Sequence, residues 1–250
     1  MANLIGTDSN DFILGTPLSD RIRALDGDDT LLGAGADDTL EGDAGNDQLL
    51  GADGADSLVG GEGNDELIGN QGRDFASGGN GEDSIRGGLG NDILEGNDGI
   101  DSVVGDAGDD LVFGNAGSDV IAGGTGNDTL TGADGDDSVF GNADDDFLYG
   151  DLGNDSLNGV AAGIRCWAVA ATIILPPTRA TTLCTAMPTT IRFSETLVMT
   201  RYSAARLTIQ LLAAAVPIPF AAMKATTRYW EMKVMTSCLV AKLMMLSTAV

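Results

Sequence analysis

The sequence contains no histidine, and its 13 lysines and arginines are outnumbered by 38 aspartates and glutamates, which gives a formal net charge of −25. Without histidine, the commonest general base and a frequent zinc or copper ligand are missing. Metalloprotease HExxH, hydrolase GxSxG and phosphate-loop motifs are also absent. The negative charge opposes binding to phosphate backbones. We therefore expect a protein that is neither an enzyme nor a nucleic-acid-binding protein.

Long apolar runs are also lacking. The two best candidates, Cys166–Leu175 and Leu211–Met223, are too short or are broken by proline, because a membrane span needs about 20 residues. Met1–Asn10 has neither the basic start nor the apolar core of a standard signal peptide. The three cysteines all follow residue 160 and show no metal or disulfide spacing. We expect no membrane span and no standard secretion signal.

An aspartate stands at every ninth position from Asp11 to Asp155, which defines 17 successive nonapeptides. With Gly6 as position one, that position is glycine in every copy except one, where Ala24 replaces it. Position four is glycine without interruption from Gly45 to Gly135, position six is always aspartate, and position eight is always apolar. A fixed short period predicts a stacked, repetitive architecture.

The period also predicts where the side chains point. Alternation along a strand turns the apolar position-eight side chain inward and its two neighbours outward. Glycines at positions one and four are expected to allow positive φ and to bring carbonyl groups close to an ion. If turns two repeats apart stack at about 4.8 Å, Asp47 and Asp65 face each other across a narrow gap. At an effective dielectric of about 20 their charges repel by roughly 4 kcal/mol.

Carboxylate and carbonyl oxygens favour Ca²⁺, which accepts six to eight oxygen ligands, over Mg²⁺, which demands near-octahedral geometry. A metal-free alternative exists, because aspartate and asparagine side chains can also form ladders that satisfy turn amides. The unbroken acidic column, with glycines at two fixed spacings, favours calcium.

Residues 6–158 resemble the RTX, or haemolysin-type, calcium-binding nonapeptide GGxGxDxUx. The full GGxGxD form stands at Gly60–Asp65, Gly78–Asp83, Gly87–Asp92 and Gly123–Asp128. The resemblance implies an all-β fold, a parallel β-roll or β-solenoid of 18-residue coils with two nonapeptides per coil. In each nonapeptide six residues form a turn and three form a short strand. Each ion lies between turns n and n+2, held by position-six carboxylates and turn carbonyls.

Carried over to this chain, the resemblance implies calcium ligands at fourteen position-six aspartates: Asp29, Asp38, Asp47, Asp56, Asp65, Asp74, Asp83, Asp92, Asp101, Asp110, Asp119, Asp128, Asp137 and Asp155. Asp11 and Asp20 are left out because their repeats lack glycine at position four. Asp146 is left out because Asp144 occupies that position.

The resemblance also implies a setting. RTX arrays occur in exported toxins, proteases, lipases, adhesins and surface-layer proteins, usually secreted by a type I system through a C-terminal signal. We expect calcium-dependent folding of a secreted, extracellular module. Two alternatives remain open: an accessory module or truncated piece of a secreted enzyme or toxin, and a structural or adhesive surface filament. A downstream catalytic domain in the gene would favour the first, and a longer in-frame array the second.

Residues 160–250 have a different composition, with 2 acidic and 9 basic residues against 36 and 4 in residues 1–159. Every ninth residue from Ile164 to Met245 is threonine, isoleucine or methionine. Codons for these residues begin with AC or AT. If the reading frame is moved one base upstream, these two bases become the last two bases of a codon, as they are in the codons of aspartate and asparagine. We interpret the tail as a frameshifted continuation of the array; the alternative is a genuine C-terminal domain. We expect little structure there, loss of the export signal, and an uncapped roll end that invites self-association.

Overall fold

The computed structural model describes residues 1–159 in full and, beyond them, the backbone of six strands between residues 165 and 211, all within the compact unit Met1–Leu212. The first sheet holds β1 (Asn3–Ile5), β3 (Arg21–Asp26), β5 (Thr39–Ala44), β7 (Ser57–Glu62), β9 (Phe75–Asn80), β11 (Ile93–Asp98), β13 (Leu111–Ala116), β15 (Thr129–Asp134), β17 (Phe147–Leu152), β19 (Arg165–Ala168), β21 (Leu183–Ala186) and β23 (Ser203–Ala204). The second holds β2 (Phe12–Leu14), β4 (Thr30–Gly35), β6 (Gln48–Asp53), β8 (Glu66–Gln71), β10 (Ser84–Leu89), β12 (Ser102–Ala107), β14 (Val120–Thr125), β16 (Ser138–Ala143), β18 (Asp155–Gly159), β20 (Ala171–Leu175), β22 (Thr189–Phe193) and β24 (Leu207–Leu211).

Consecutive strands alternate between the two sheets, so that each strand pairs in parallel with the strand two places later. Leu58 lies opposite Ala76, and Leu67 lies opposite Ile85, so both pairs join equivalent positions two repeats apart. Two nonapeptides therefore complete one coil, and the expected all-β parallel solenoid with two nonapeptides per coil is confirmed. Among the described residues no helix is long and apolar enough to cross a membrane.

The strands are longer than the sequence predicts. Most cover six positions, as in Ser57–Glu62, which joins positions seven to nine of one repeat to positions one to three of the next. Pairing passes over position one and resumes at positions two and three, where Gly61 lies opposite Gly79 and Glu62 opposite Asn80. The turn therefore shortens to positions four to six, because a change of φ at position two bends the chain without ending its ladder.

The core is one cluster of buried apolar side chains, to which strands of the two sheets contribute in turn. Position eight is fully buried in all sixteen repeats from Ile22 to Leu157, and Ile13 at the first coil is partly buried. Its neighbours at positions seven and nine lie on the outer faces, as the alternation predicts. With one core side chain per nonapeptide, the roll has little apolar volume to stabilise it, so the turns contribute much of the energy balance.

Six strands fall in the range 160–250, for which we expected little structure. They continue both sheets, and β21 and β22 keep the two-repeat offset from the strands before them. The offset changes at β20, where Leu157 lies opposite Ile173, two positions short of the equivalent place. The rest of that range lies outside the described residues. The division of the chain at residue 160, and the frameshift that would explain it, remain predictions.

Candidate metal centre

Each position-six aspartate ends the short bend and lies just before a strand or, at Asp155, at its first residue, which directs its carboxylate into the roll. From Asp20 to Asp155 these residues are no more than 3% exposed. Because strands alternate between the sheets, the carboxylates form two columns, and successive members of a column lie two repeats apart in the sequence. The side chains predicted as calcium ligands are therefore brought together in pairs along the axis.

One oxygen of each carboxylate belongs to a hydrogen-bonded ladder. Oδ1 of Asp65 accepts a hydrogen bond of 2.8 Å from the backbone N–H of Asp47, one coil earlier. The N–H of Asp65 in turn donates to Oδ1 of Asp83 at 2.8 Å. The same bond links successive members of both columns up to Asp155. This half of the site is the ladder that the metal-free alternative anticipated.

The other oxygen has no partner. Oδ2 is buried and accepts no hydrogen bond in fifteen repeats: Asp29, Asp38, Asp47, Asp56, Asp65, Asp74, Asp83, Asp92, Asp101, Asp110, Asp119, Asp128, Asp137, Asp146 and Asp155. Burial of a charged oxygen without a hydrogen-bond partner lowers the stability of the folded state by roughly several kcal/mol. The ladder alone therefore leaves one strong acceptor per repeat unsatisfied.

Position-one glycine makes room for this oxygen. A Cβ at Gly60 would collide with Oδ2 of Asp65 and would lie 2.6 Å from the carbonyl oxygen of Gly78. The prediction that glycine stands here to allow positive φ is wrong for position one, since none of these glycines has a positive φ. The residue is small because the carboxylate and the next coil approach its open face.

Positive φ occurs instead at position two and, as expected, at position four. All fifteen position-two residues from Leu25 to Asp151 have positive φ, including Asn70 at 79° and Asn97 at 82°. Asparagine and aspartate tolerate this region better than most other side chains. Ala34, at 89°, has no such tolerance, and sequence reasoning missed it.

The turns present oxygens to neighbouring coils. The carbonyl of Asp43 at position two points at Gly61 in the next coil, and that of Gly45 at position four points at Gly63. The turn amides are already engaged: Gly45 N–H donates to the Glu62 carbonyl at 2.8 Å, and Asn64 N–H donates to Asn46 Oδ1 at 2.8 Å. The carboxylate and carbonyl oxygens of the turns are hard oxygens, the donor type that Ca²⁺ prefers.

Side chains alone do not complete a site. Among the residues that the structure describes, no group of three or more acidic, histidine or cysteine side chains lies close enough to hold an ion. Turn carbonyls would have to complete the coordination. The fit to calcium thus rests on the orphaned Oδ2 atoms and the all-oxygen donor set.

Burial in the two columns raises the pKa values of most position-six aspartates. Burial raises the pKa of Asp65 to about 7, and the charges of Asp83 and Asp47 add to the rise, while the hydrogen bond from Asp47 opposes it. Burial likewise raises the pKa of Asp110 to about 7 and that of Asp137 to about 6, with neighbouring carboxylates adding in both cases. Near neutral pH the folded roll therefore resists full ionisation of its interior.

The first two repeats differ. Oδ2 of Asp11 accepts hydrogen bonds from the N–H and Oγ1 of Thr7, at 2.6 and 2.9 Å. Oδ2 of Asp20 accepts the same pair from Thr16, at 2.6 and 2.7 Å. The hydrogen bonds from Ala2 and Thr16 hold the pKa of Asp20 below its ordinary value. The feature that separates these repeats is threonine at position two, which sequence reasoning did not use.

Asp146, which the sequence-based site list omits, lies in the same arrangement as the fourteen predicted ligands. Its Oδ2 is buried without a partner, and burial together with the charge of Asp128 raises its pKa to about 7. Asp144 replaces glycine at position four but still adopts a φ of 76° there. A non-glycine residue at that position therefore keeps a positive φ, although a smaller one than the 143° of Gly135.

These features define a parallel β-solenoid whose turns carry buried columns of aspartate. The family model of the RTX calcium-binding nonapeptide repeat (4 copies) matches overlapping segments at residues 5–40, 14–49, 33–67, 50–85, 59–94, 68–103, 95–130 and 122–157. Together they span more than half of the chain, which therefore belongs to this RTX family, as the nonapeptide motif predicted. A comparison with curated proteins found no match.

Proposed function

We propose that the array is a calcium-dependent folding module in which cations between neighbouring turns satisfy the buried aspartates. The observation that carries this proposal is the partnerless Oδ2 in fifteen successive repeats. The residues that would hold the ions are the fourteen predicted aspartates together with Asp146. The turn carbonyls of positions two and four would supply the remaining oxygens. Bound Ca²⁺ supplies positive charge and accepts several oxygen ligands at once.

The energetic support is the balance between core and column. One apolar side chain per nonapeptide is buried, so each repeat gains about 2 kcal/mol from its core residue. An unpaired buried carboxylate costs an amount of the same order or larger. Without a cation the repeat therefore has little or no net stability, and metal binding would supply folding free energy.

The direct test is a calcium titration of the full chain followed by circular dichroism. In excess chelator we expect a coil-like spectrum. On addition of calcium to about millimolar concentration, typical of weak extracellular sites, we expect a cooperative change to a β spectrum. Magnesium at equal concentration serves as the control and should not replace calcium, because it requires near-octahedral geometry. A β spectrum that persists in chelator would overturn the proposal.

The affinity of the sites for calcium determines where the protein would fold. Sites with dissociation constants of about 10⁻⁴–10⁻³ M would be empty at the low calcium level of a cytoplasm and filled outside the cell. We propose on this ground that the module folds after export, as a secreted or surface-associated protein. Isothermal titration calorimetry measures these constants, and binding near 10⁻⁷ M or tighter would contradict this setting.

A further inference from the structure

The 17 position-two residues divide into two classes. Thr7 and Thr16 are the only threonines at this position, and they are the only position-two residues that do not have positive φ. The same two repeats are the only ones, among the 17, whose aspartate Oδ2 has hydrogen-bond partners. Residue type, backbone conformation and the state of the carboxylate therefore change together between Thr16 and Leu25.

The backbone conformation explains the change. Without positive φ, the N–H of Thr16 points at the carboxylate of its own repeat, and its hydroxyl adds a second donor to the same oxygen. Oδ1 of Asp20 accepts the N–H of Ala2 at 2.5 Å, so both oxygens have partners. Hydrogen bonds to an ionised acceptor are stronger than neutral ones. The turn that ends at Asp20 therefore satisfies its carboxylate with protein donors alone.

We propose that the first coil is a calcium-independent cap, in which Thr7 and Thr16 take the place that a cation occupies in every later coil. This inference rests on the proposed function of the later coils. It assigns the first metal-requiring carboxylate to Asp29. It also gives the N-terminal end of the folded roll, where β1 and β2 each have a neighbour on one side only, a turn whose hydrogen bonds need no cation.

The test separates hydrogen bonding from metal binding by calcium linkage. The dependence of folding free energy on calcium concentration reports how many ions bind on folding. For the full chain, calorimetry gives the number of ions bound, and thermal unfolding at saturating calcium gives stability. We expect Asp20→Asn to leave the number of bound ions unchanged, whereas Asp65→Asn lowers it.

Threonine variants test the donors themselves. Thr16→Val removes the hydroxyl and should lower the unfolding temperature at saturating calcium without changing the number of ions bound. Thr16→Ser keeps the hydroxyl and should restore the unfolding temperature. Thr125→Val, at an exposed site in β14, is the matched control and should have little effect.

The outcomes distinguish the two proposals. If Asp20→Asn lowers the number of ions as much as Asp65→Asn does, the first coil binds calcium and the cap is overturned. If Thr16→Val behaves like Thr125→Val, the threonine contacts do not stabilise the cap and the inference also fails. If Asp65→Asn leaves the number of ions unchanged, the proposed function fails instead.

Discussion

Replacing Asp65 by asparagine should affect the metal-free and the calcium-bound roll in opposite directions. The aspartate is 3% exposed, and burial raises its pKa from 3.8 to about 7. At about pH 8 an ionised group with this shift destabilises the folded state by about 4 kcal/mol, at about 1.4 kcal/mol per pKa unit. An asparagine is neutral and avoids this cost, while its carbonyl oxygen still accepts the hydrogen bond from Asp47.

The asparagine NH₂ group would take the place of Oδ2, where no acceptor is provided. A buried unsatisfied amide costs about 1–3 kcal/mol. The net expectation in chelator is that Asp65→Asn stabilises the folded state by about 1–3 kcal/mol. In saturating calcium the sign reverses, because a carboxylate ligand is lost.

The assay is folding of the full chain in excess chelator by increasing trimethylamine oxide, which favours compact states by its exclusion from protein surface. Asp65→Asn should fold at a lower osmolyte concentration than the natural chain, and should need more calcium when no osmolyte is present. Asp134→Asn is the control, since Asp134 is exposed and the substitution changes net charge equally. Equal behaviour of the two variants in chelator would refute the claim that the buried Oδ2 destabilises the metal-free roll.

Two further expectations concern glycine and pH. Gly60→Ala should lower the free energy of unfolding in calcium by about 1–3 kcal/mol, because the added methyl group overpacks against Asp65, and urea unfolding measures this loss. Ala24 at the equivalent place indicates that the fold itself survives. Gly35→Ala is its control, because a Cβ there meets only the Asp53 carbonyl, at 3.8 Å, and an equal loss at both sites would contradict the explanation. In chelator, stability should fall as pH rises from about 4 to about 7, because the folded-state pKa of Asp65, like that of most of the column, lies above the ordinary value of 3.8. Lowering the pH from about 8 to about 5 should therefore increase the β signal, and an unchanged or smaller signal would oppose this assignment.

The coil and its core could be predicted because the two periods of the sequence constrain them independently. An apolar residue at every ninth position, from Ile13 to Leu157, has only one inward-facing place in a parallel stack. An aspartate with the same period fixes the register, since a shift of one residue would move core side chains to the outer face and a shift of two would bring a buried carboxylate against a core position. Both expectations are confirmed by the pairing of each strand with the strand two places later.

The local reasons were harder to predict, because sequence patterns do not distinguish the uses of a small residue. Glycine at position one serves close approach, whereas glycine at position four serves positive φ, and both appear as the same letter. Ala34 and Leu25 adopt positive φ against their own preference, because the stacked neighbours impose it. The strand length was underestimated because a ladder can resume after one unpaired residue, as it does between Gly61 and Gly79.

The alternation of strands between two sheets has a consequence for how such a chain can change in length. Loss of one nonapeptide would keep every residue at its repeat position but would transfer all downstream strands to the opposite sheet. Arg86, for example, pairs with Asp106 on the outer face of one sheet. A deletion of one nonapeptide between these two residues would place them on opposite sheets and break the pair. Loss of two nonapeptides would leave every surviving strand on its own side. Gains and losses that preserve both faces of this protein should therefore come in whole coils, which means in even numbers of nonapeptides.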